Sequence, residues 1–441
     1  MGRKPQDIDK IVMELVNSDD AAAKKALAAK IRALAYKKGI YLSSIQGLYE
    51  ARGKGEFSGF TVPAVNLRSM TYDLARAMFK VAIRNNSGAF IFEIAKSEMG
   101  YTAQPPVEYS AVILAAAVKE GYKGPVFVQG DHFQVNAKKF KEDAEKELGS
   151  LKALIAEAVE AGFYNIDIDS STLVDLAKPE VRKQQFNNYD VCARLTQYIR
   201  QVQPRGIEVS VGGEIGEVGA KNSTPEDLRA FMQGFRERLR KGRKGISKIS
   251  IQTGTSHGGV VLPDGSIAQV KLDFDTLKTL SRLAREEFGL AGAVQHGAST
   301  LPAEAFHNFP AAETAEVHLA TEFQNMILDS RHFPAELKAK IYEWLKVNAA
   351  SERKEGETEE QFFYKSRKKA LGPFKKEIMA LPKEIKDAIS SEIEAKFEFL
   401  FKQLNNVDNR ELVNKYITLK RVISRKRTER EAVVHDGEGA D

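Results

Sequence analysis

Eight short apolar runs, each followed by an amphipathic segment, constrain this chain more than any other feature. They are TVPAV (61–65), AFIFEI (89–94), PVFVQ (125–129), YNIDID (164–169), IEVSV (207–211), KISIQ (248–252), AGAVQ (291–295) and AEVHL (315–319). Segments such as TYDLARAMFKVAIRN, SLKALIAEAVEAG, YDVCARLTQYIRQV and LDFDTLKTLSRLAREEFG lie between them, with apolar residues at i, i+3, i+4 and i+7. That period marks one apolar face of a helix, and short apolar runs suit strands buried on both sides. Strands alternating with helices predict a parallel sheet covered by helices. Eight such units predict an α/β fold of the (β/α)8 TIM barrel type. A doubly wound open sheet is the alternative that pattern alone leaves.

The flanks read differently. DIDKIVMELV and DAAAKKALAAKIRALAYKKG are helical in period, and the second ends at Gly39. From about residue 335 the chain turns helical and charged, through AELKAKIYEWLKV and PKEIKDAISSEIEAKFEFLFKQL. The expected organisation is a helical extension over 1–55, a catalytic barrel over 56–334, and a helical C-terminal extension with a basic tail over 335–441.

Composition excludes several classes. Apolar residues make up 43% and charged residues 29%, an ordinary globular balance. No apolar run approaches the length of a membrane span, and the N-terminus lacks a secretory apolar core. Cys192 is the only cysteine, so neither an internal disulfide nor a Cys-rich zinc site can form. A cytoplasmic location is expected. The basic stretch LKRVISRKRTER (419–430) lacks interleaved aromatics, so a solvated or subunit-contact tail is expected rather than a nucleic-acid partner.

A barrel places its chemistry at the C-terminal ends of its strands. There the runs continue into GDHF, Asp169-Ser170-Ser171, GGEIGEVGAKN, TGTSHGG, QHGAST and VHLAT. Of seven histidines, His132, His257, His296 and His318 lie in or just after a run. His132, His257 and His296 at three strand ends can converge on one metal with an open fourth position, as in a catalytic zinc site. Satisfied core histidines are the competing reading. The GTSHGG and HGAST turns can present backbone N–H groups to a phosphate or can be plain turns. Asp131 and His132 are adjacent, and adjacent strand residues point to opposite faces. Gly130 is therefore expected to let the chain leave the pleat so that both side chains face the mouth.

Five motifs in order resemble the class II, metal-dependent fructose-bisphosphate aldolase family over about residues 58–330: FTVPAVNLRSM, VFVQGDH, NIDIDSS, GTSHGG and QHGAST. KKALGPFKKEIMALPKEI is similar, more loosely, to the family's last helix. The resemblance implies a zinc-dependent aldehyde-lyase of carbohydrate metabolism acting on a phosphosugar, and the long helical ends suggest subunit contacts in a homo-oligomer. It implies that His132, His257 and His296 bind one catalytic divalent metal per subunit, with room for a monovalent cation. It makes Asp131 the general base and Glu217 the nearest match to the catalytic glutamate. Asp169 and Glu214 fall at alternate or supporting metal carboxylates. Asn66, Gly258, Gly297, Ser299 and Thr321 fall at substrate and phosphate positions. The chain departs from the family at strand eight, where Asn-x-Asp-Thr reads His318-Leu319-Ala320-Thr321, and where Ser210 stands for a family glutamate. A fructose bisphosphate is the expected substrate. A tagatose bisphosphate, a non-catalytic partner subunit of such an enzyme, and another metal-dependent barrel enzyme are the alternatives.

Overall fold

A computed structural model describes residues 7–216, 221–254, 262–263 and 272–422. Nine parallel strands form its sheet. They are β1 (Ile40–Leu42), β2 (Val62–Asn66), β3 (Ile91–Ala95), β4 (Gly124–Gln134), β5 (Asn165–Asp169), β6 (Ser210–Glu214), β7 (Lys248–Ile251), β8 (Ala293–Gln295) and β9 (Glu316–Leu319). Strands β2 to β9 pair in sequence order, and β9 pairs back onto β2 through Val62–Glu316 to Val65–Leu319, so the sheet closes. With helices between and around the strands, this is a (β/α)8 barrel. Each of the eight apolar runs overlaps a strand, although β6 begins only at Ser210, three residues into the IEVSV run. The open-sheet alternative fails because both would-be edges are paired.

The helices follow from their stripes and caps. In helix Ile8–Asn17 the residues Ile8, Ile11, Val12, Leu15 and Val16 are buried, at the spacing of one helix face. Asp7 caps it by accepting the Asp9 N–H, and Asp20 likewise caps helix Ala21–Lys37. Asp9 then takes hydrogen bonds from Tyr72 and Lys119, tying the extension to two barrel helices. The segment read as helical also holds β1, which pairs with the start of β4. Three residues are too few to show a strand period, so pattern missed it.

The N-terminal end of the barrel is closed by both extensions. Helix Gln46–Gly53 carries the buried Arg52, whose guanidinium donates to the carbonyls of Phe60, Glu313 and Thr314 rather than to a carboxylate. Burial pushes this guanidinium down to about 10. Helix Arg410–Tyr416 lies beside it. Helix Lys383–Gln403 buries Ile389, Ile393, Phe397, Leu400 and Phe401, and its Glu394 and Glu398 hold Arg84 of helix Thr71–Arg84.

The lumen is not a plain apolar core. Glu93, Gln129, Asp167, Lys248, Glu316 and His318 all point inward and are at most 5% exposed. Lys248 Nζ lies 2.9 Å from Asp167 Oδ2 and 2.9 Å from Gln129 Oε1, and it also bonds Glu316. Buried charges persist only when paired, and here one ammonium serves two carboxylates.

Gly47 sits where the two extensions meet. A Cβ there would collide with the Tyr416 carbonyl oxygen, a backbone atom with little freedom to move. Gly47→Ala is expected to destabilise the fold by about 1–3 kcal/mol through overpacking. The check is the guanidinium unfolding midpoint. An unchanged midpoint would show that the 410–416 helix simply yields.

Candidate active site

The centre of the site is a bulge in β4. Gly130 pairs with Ile166 and Phe133 with Ile168, so β4 spends one more residue than β5 over the same stretch. Such a bulge re-aims side chains. His132 carries the strain, with φ +38°, a conformation that non-glycine residues rarely adopt. As a result Asp131 and His132 face one another, with His132 Nε2 3.7 Å from Asp131 Oδ1. The expectation for Gly130 is half right. The chain does leave the pleat, but the left-handed residue is His132. Gly130 is small because a Cβ there would run into the Phe133 ring.

His296 arrives from the end of β8. Its Nε2 lies 3.6 Å from Asp131 Oδ1, and its ring centroid lies 4.2 Å from that of His132. Ligand atoms of Asp131, His132 and His296 all fall within 4.8 Å of one another. His132 Nδ1 turns to a second group, 3.3 Å from Asp169 Oδ2 and 3.2 Å from Glu214 Oε2. Both clusters are N/O donor sets of the spacing and chemistry that suit a divalent metal.

Electrostatics sort these groups. Burial alone would lower the His132 pKa, but the Asp131 and Glu214 charges and the bond to Asp169 hold it well above the usual range. Burial, with the charges on His132 and His318, pushes His296 well below that range, which favours a neutral imidazole. Burial would raise Asp131, yet the charge on His132 and the bonds from His296 and His318 keep it well below ordinary carboxylates. Burial and the Asp169 charge push Glu214 up to about 7 despite His132.

Asn66, at the end of β2, donates to Asp131 Oδ2 at 3.0 Å and to Glu98 Oε2 at 2.7 Å. Glu98 also pairs with Arg68, whose Nη1 lies 3.3 Å from Thr321 Oγ1. Thr321 opens the helix Thr321–Leu328, and Ser299 Oγ accepts the Ala320 N–H at 2.7 Å. Gly297, at φ +67°, makes the turn after β8 that sets Ser299 against β9. Asp131, His132, His296, Asp169, Glu214 and Asn66 are thus together, with Ser299 and Thr321 at the end of the neighbouring strands. His257, Gly258 and Glu217 lie outside the described residues. The sequence reading missed Glu93, Glu98, Arg68, Lys248 and Glu316. Single charges inside AFIFEI, KISIQ and AEVHL were the available signal, since a charge amid an apolar strand must find a partner.

A closed parallel barrel with histidines and carboxylates at its strand C-termini defines the barrel-enzyme class. The model of the family described as "Fructose-bisphosphate aldolase class-II" matches residues 50–403, and the chain belongs to that family. Family membership implies a lyase. Among solved structures, a fructose-bisphosphate aldolase from Campylobacter jejuni is 17% identical, with TM-score 0.52, covering 84% of this chain and 97% of that one. A structure titled as a probable tagatose 6 phosphate kinase from Sinorhizobium meliloti 1021 is 16% identical, with TM-score 0.55, covering 80% and 99%. Both share the fold at low identity, as a divergent branch of the family would. No curated protein matches. No helix of the described residues is long and apolar enough to cross a membrane.

Proposed function

We propose that this chain is a zinc-dependent class II aldolase that reversibly cleaves fructose 1,6-bisphosphate to dihydroxyacetone phosphate and glyceraldehyde 3-phosphate. The observation that carries this reading is the bulge that turns Asp131 toward both His132 and His296. On this reading His132 and His296, with His257, hold one zinc per subunit. Bound there, zinc supplies Lewis acidity for the negative charge that develops on the ketose carbonyl oxygen.

The protein's own groups do the rest. Asp131, kept ionised by its surroundings, takes the proton of the C4 hydroxyl as the C3–C4 bond breaks, and returns it in condensation. Glu214, held near neutrality, suits a group that moves a proton at C3, a role it shares as candidate with Glu217. Gly258, the Gly297 turn, Ser299 and Thr321 bind phosphate, so remote binding energy orients the reacting carbons. Residues 56–334 carry the chemistry, the flanks contribute subunit contacts in a homo-oligomer, and the enzyme works in the cytoplasm. A tagatose bisphosphate is the second reading. It rests on His318 and Ala320, which stand where the family motif has its asparagine and aspartate.

The deciding experiment supplies zinc-loaded protein with dihydroxyacetone phosphate and several aldehydes and determines the stereochemistry of the product. Absence of any aldol product from the pure protein would sink the enzyme reading and favour the partner-subunit alternative. Asp131→Ala is expected to keep its zinc and lose about 10²–10⁴-fold in kcat, whereas His257→Ala is expected to lose the metal by elemental analysis. Near-normal turnover of the first variant, or retained zinc in the second, would contradict these roles.

Zinc uptake has an expected pH dependence. His132 holds its proton above the usual histidine range, and a ligand must shed its proton to bind. Zinc affinity of the metal-free protein therefore rises with pH through and beyond the ordinary histidine range, until His132 has shed its proton, with protons released on binding. Titration against a chromophoric chelator in weak buffer reads both. A pH-independent affinity would remove His132 from the ligand set.

A further inference from the structure

His318 is the one strand-end histidine that the zinc reading leaves without a task, and it is 4% exposed. It lies inside the lumen, against Asp131. Both of its ring nitrogens face carboxylates. Nδ1 is 3.1 Å from Glu93 Oε1 and 3.3 Å from Asp131 Oδ1. Nε2 is 2.6 Å from Glu316 Oε1 and 3.7 Å from Asp167 Oδ2. Glu316 is held in turn by Lys248, Tyr49 and Gln129. The ring stands edge-on to His296, with centroids 4.2 Å apart.

We propose that His318 is a positioning residue for Asp131, and that the Lys248–Glu316 pair anchors it from below. The inference rests on the aldolase reading for what Asp131 does. Besides the two zinc-site histidines, two neighbours hold Asp131. Asn66 takes Oδ2 at 3.0 Å and His318 takes Oδ1 at 3.3 Å, from different strands. A carboxylate restrained at both oxygens cannot rotate freely about its last bond. Glu93 and Asp131 both approach Nδ1, so without His318 these two carboxylates would share a buried space with no donor between them.

With a carboxylate at each ring nitrogen, a doubly protonated imidazole spans the distance from Glu316 to Asp131, which a single amide cannot do with two separate donors at opposite ends. The family's asparagine at this place would supply the upper contact alone. The histidine here makes the orientation of the base depend on the lumen's ion pairs as well. His318 touches no reacting atom in this scheme. It acts through Asp131.

The test compares His318→Leu with His318→Asn. Leucine removes both contacts, while asparagine returns an amide nitrogen near the place of Nδ1. Kinetics of ketose bisphosphate cleavage, zinc per subunit, and exchange of a dihydroxyacetone phosphate C–H proton with deuterated solvent are measured on each. That exchange needs no C4 hydroxyl and so does not call on Asp131. The expected result for His318→Leu is a loss in kcat of about 100-fold, the scale of a misplaced catalytic group, with KM, zinc content and proton exchange retained. His318→Asn is expected to recover most of the loss.

Equal losses in both variants, or a fall of proton exchange alongside cleavage, would overturn the positioning role. A crystal structure of His318→Leu separates this failure from failure of the aldolase reading, because it needs no turnover. Asp131 is expected to turn away from its native rotamer, and an unmoved Asp131 overturns the proposal whatever the protein's substrate. A wild-type chain that neither cleaves a ketose nor exchanges the proton would instead remove the aldolase reading.

Discussion

One extra residue in β4 governs the site. Without it, Asp131 and His132 would alternate across the sheet, one facing the lumen and the other the surrounding helices. The bulge turns both toward the mouth, at the cost of a left-handed histidine. Strain of this kind persists only where the surroundings hold it. Here Phe133 resumes the register against β5, filling the space over Gly130, and Asp169 and Glu214 hold the His132 ring. The restraint on His132 is thus built from the next two strands of the barrel.

The second constraint is the charge in the lumen. A carboxylate that must stay ionised while buried needs compensation, or it protonates instead. Asp131 has that compensation from histidines beside and below it. Glu93 does not share it equally. Burial and the neighbouring Asp131 and Glu316 charges outweigh its contact with His318 and raise it well above the carboxylate range. Lys248 lets Asp167 and Glu316 share a cation deeper in the barrel. The lumen therefore works as a graded electrostatic support beneath the mouth rather than as packing alone. Ion pairs of this kind add little net stability over an apolar core of equal volume, so their value here lies in orientation.

Much of this was legible in the sequence, and the reasons differ from place to place. The eight strands were readable because each is buried on both faces and so reads as an apolar run. The helices were readable because each buries only one face. Asp131, His132 and His296 were readable because chemistry-bearing residues interrupt apolar runs at their C-terminal ends. The family likeness, confirmed over residues 50–403, added roles that spacing could not. The backbone at position 132 was not legible, because nothing in the letters GDHF says which residue takes the positive φ. The targets of Arg52 were hidden for a related reason. They are backbone carbonyls from residues 60, 313 and 314, which leave no mark on side-chain pattern.

The departure at β9 ties these threads together. A change from asparagine to histidine at position 318 replaces one donor by a two-ended one, and the second end must have an acceptor. Glu316, two residues earlier on the same face of β9, supplies it. Without Lys248 on β7, Glu316 would compete with Asp131 and Glu93 for the His318 ring, and Lys248 needs Asp167 on β5 to keep its own surroundings balanced. Each of these residues depends on the next. A histidine at 318 in a barrel without Lys248 would leave Asp131, Glu93, Asp167 and Glu316 around a single cation, an arrangement that favours protonating carboxylates over orienting one. His318 is thus better understood as a member of one co-dependent group of lumen residues than as an isolated loss from a family motif.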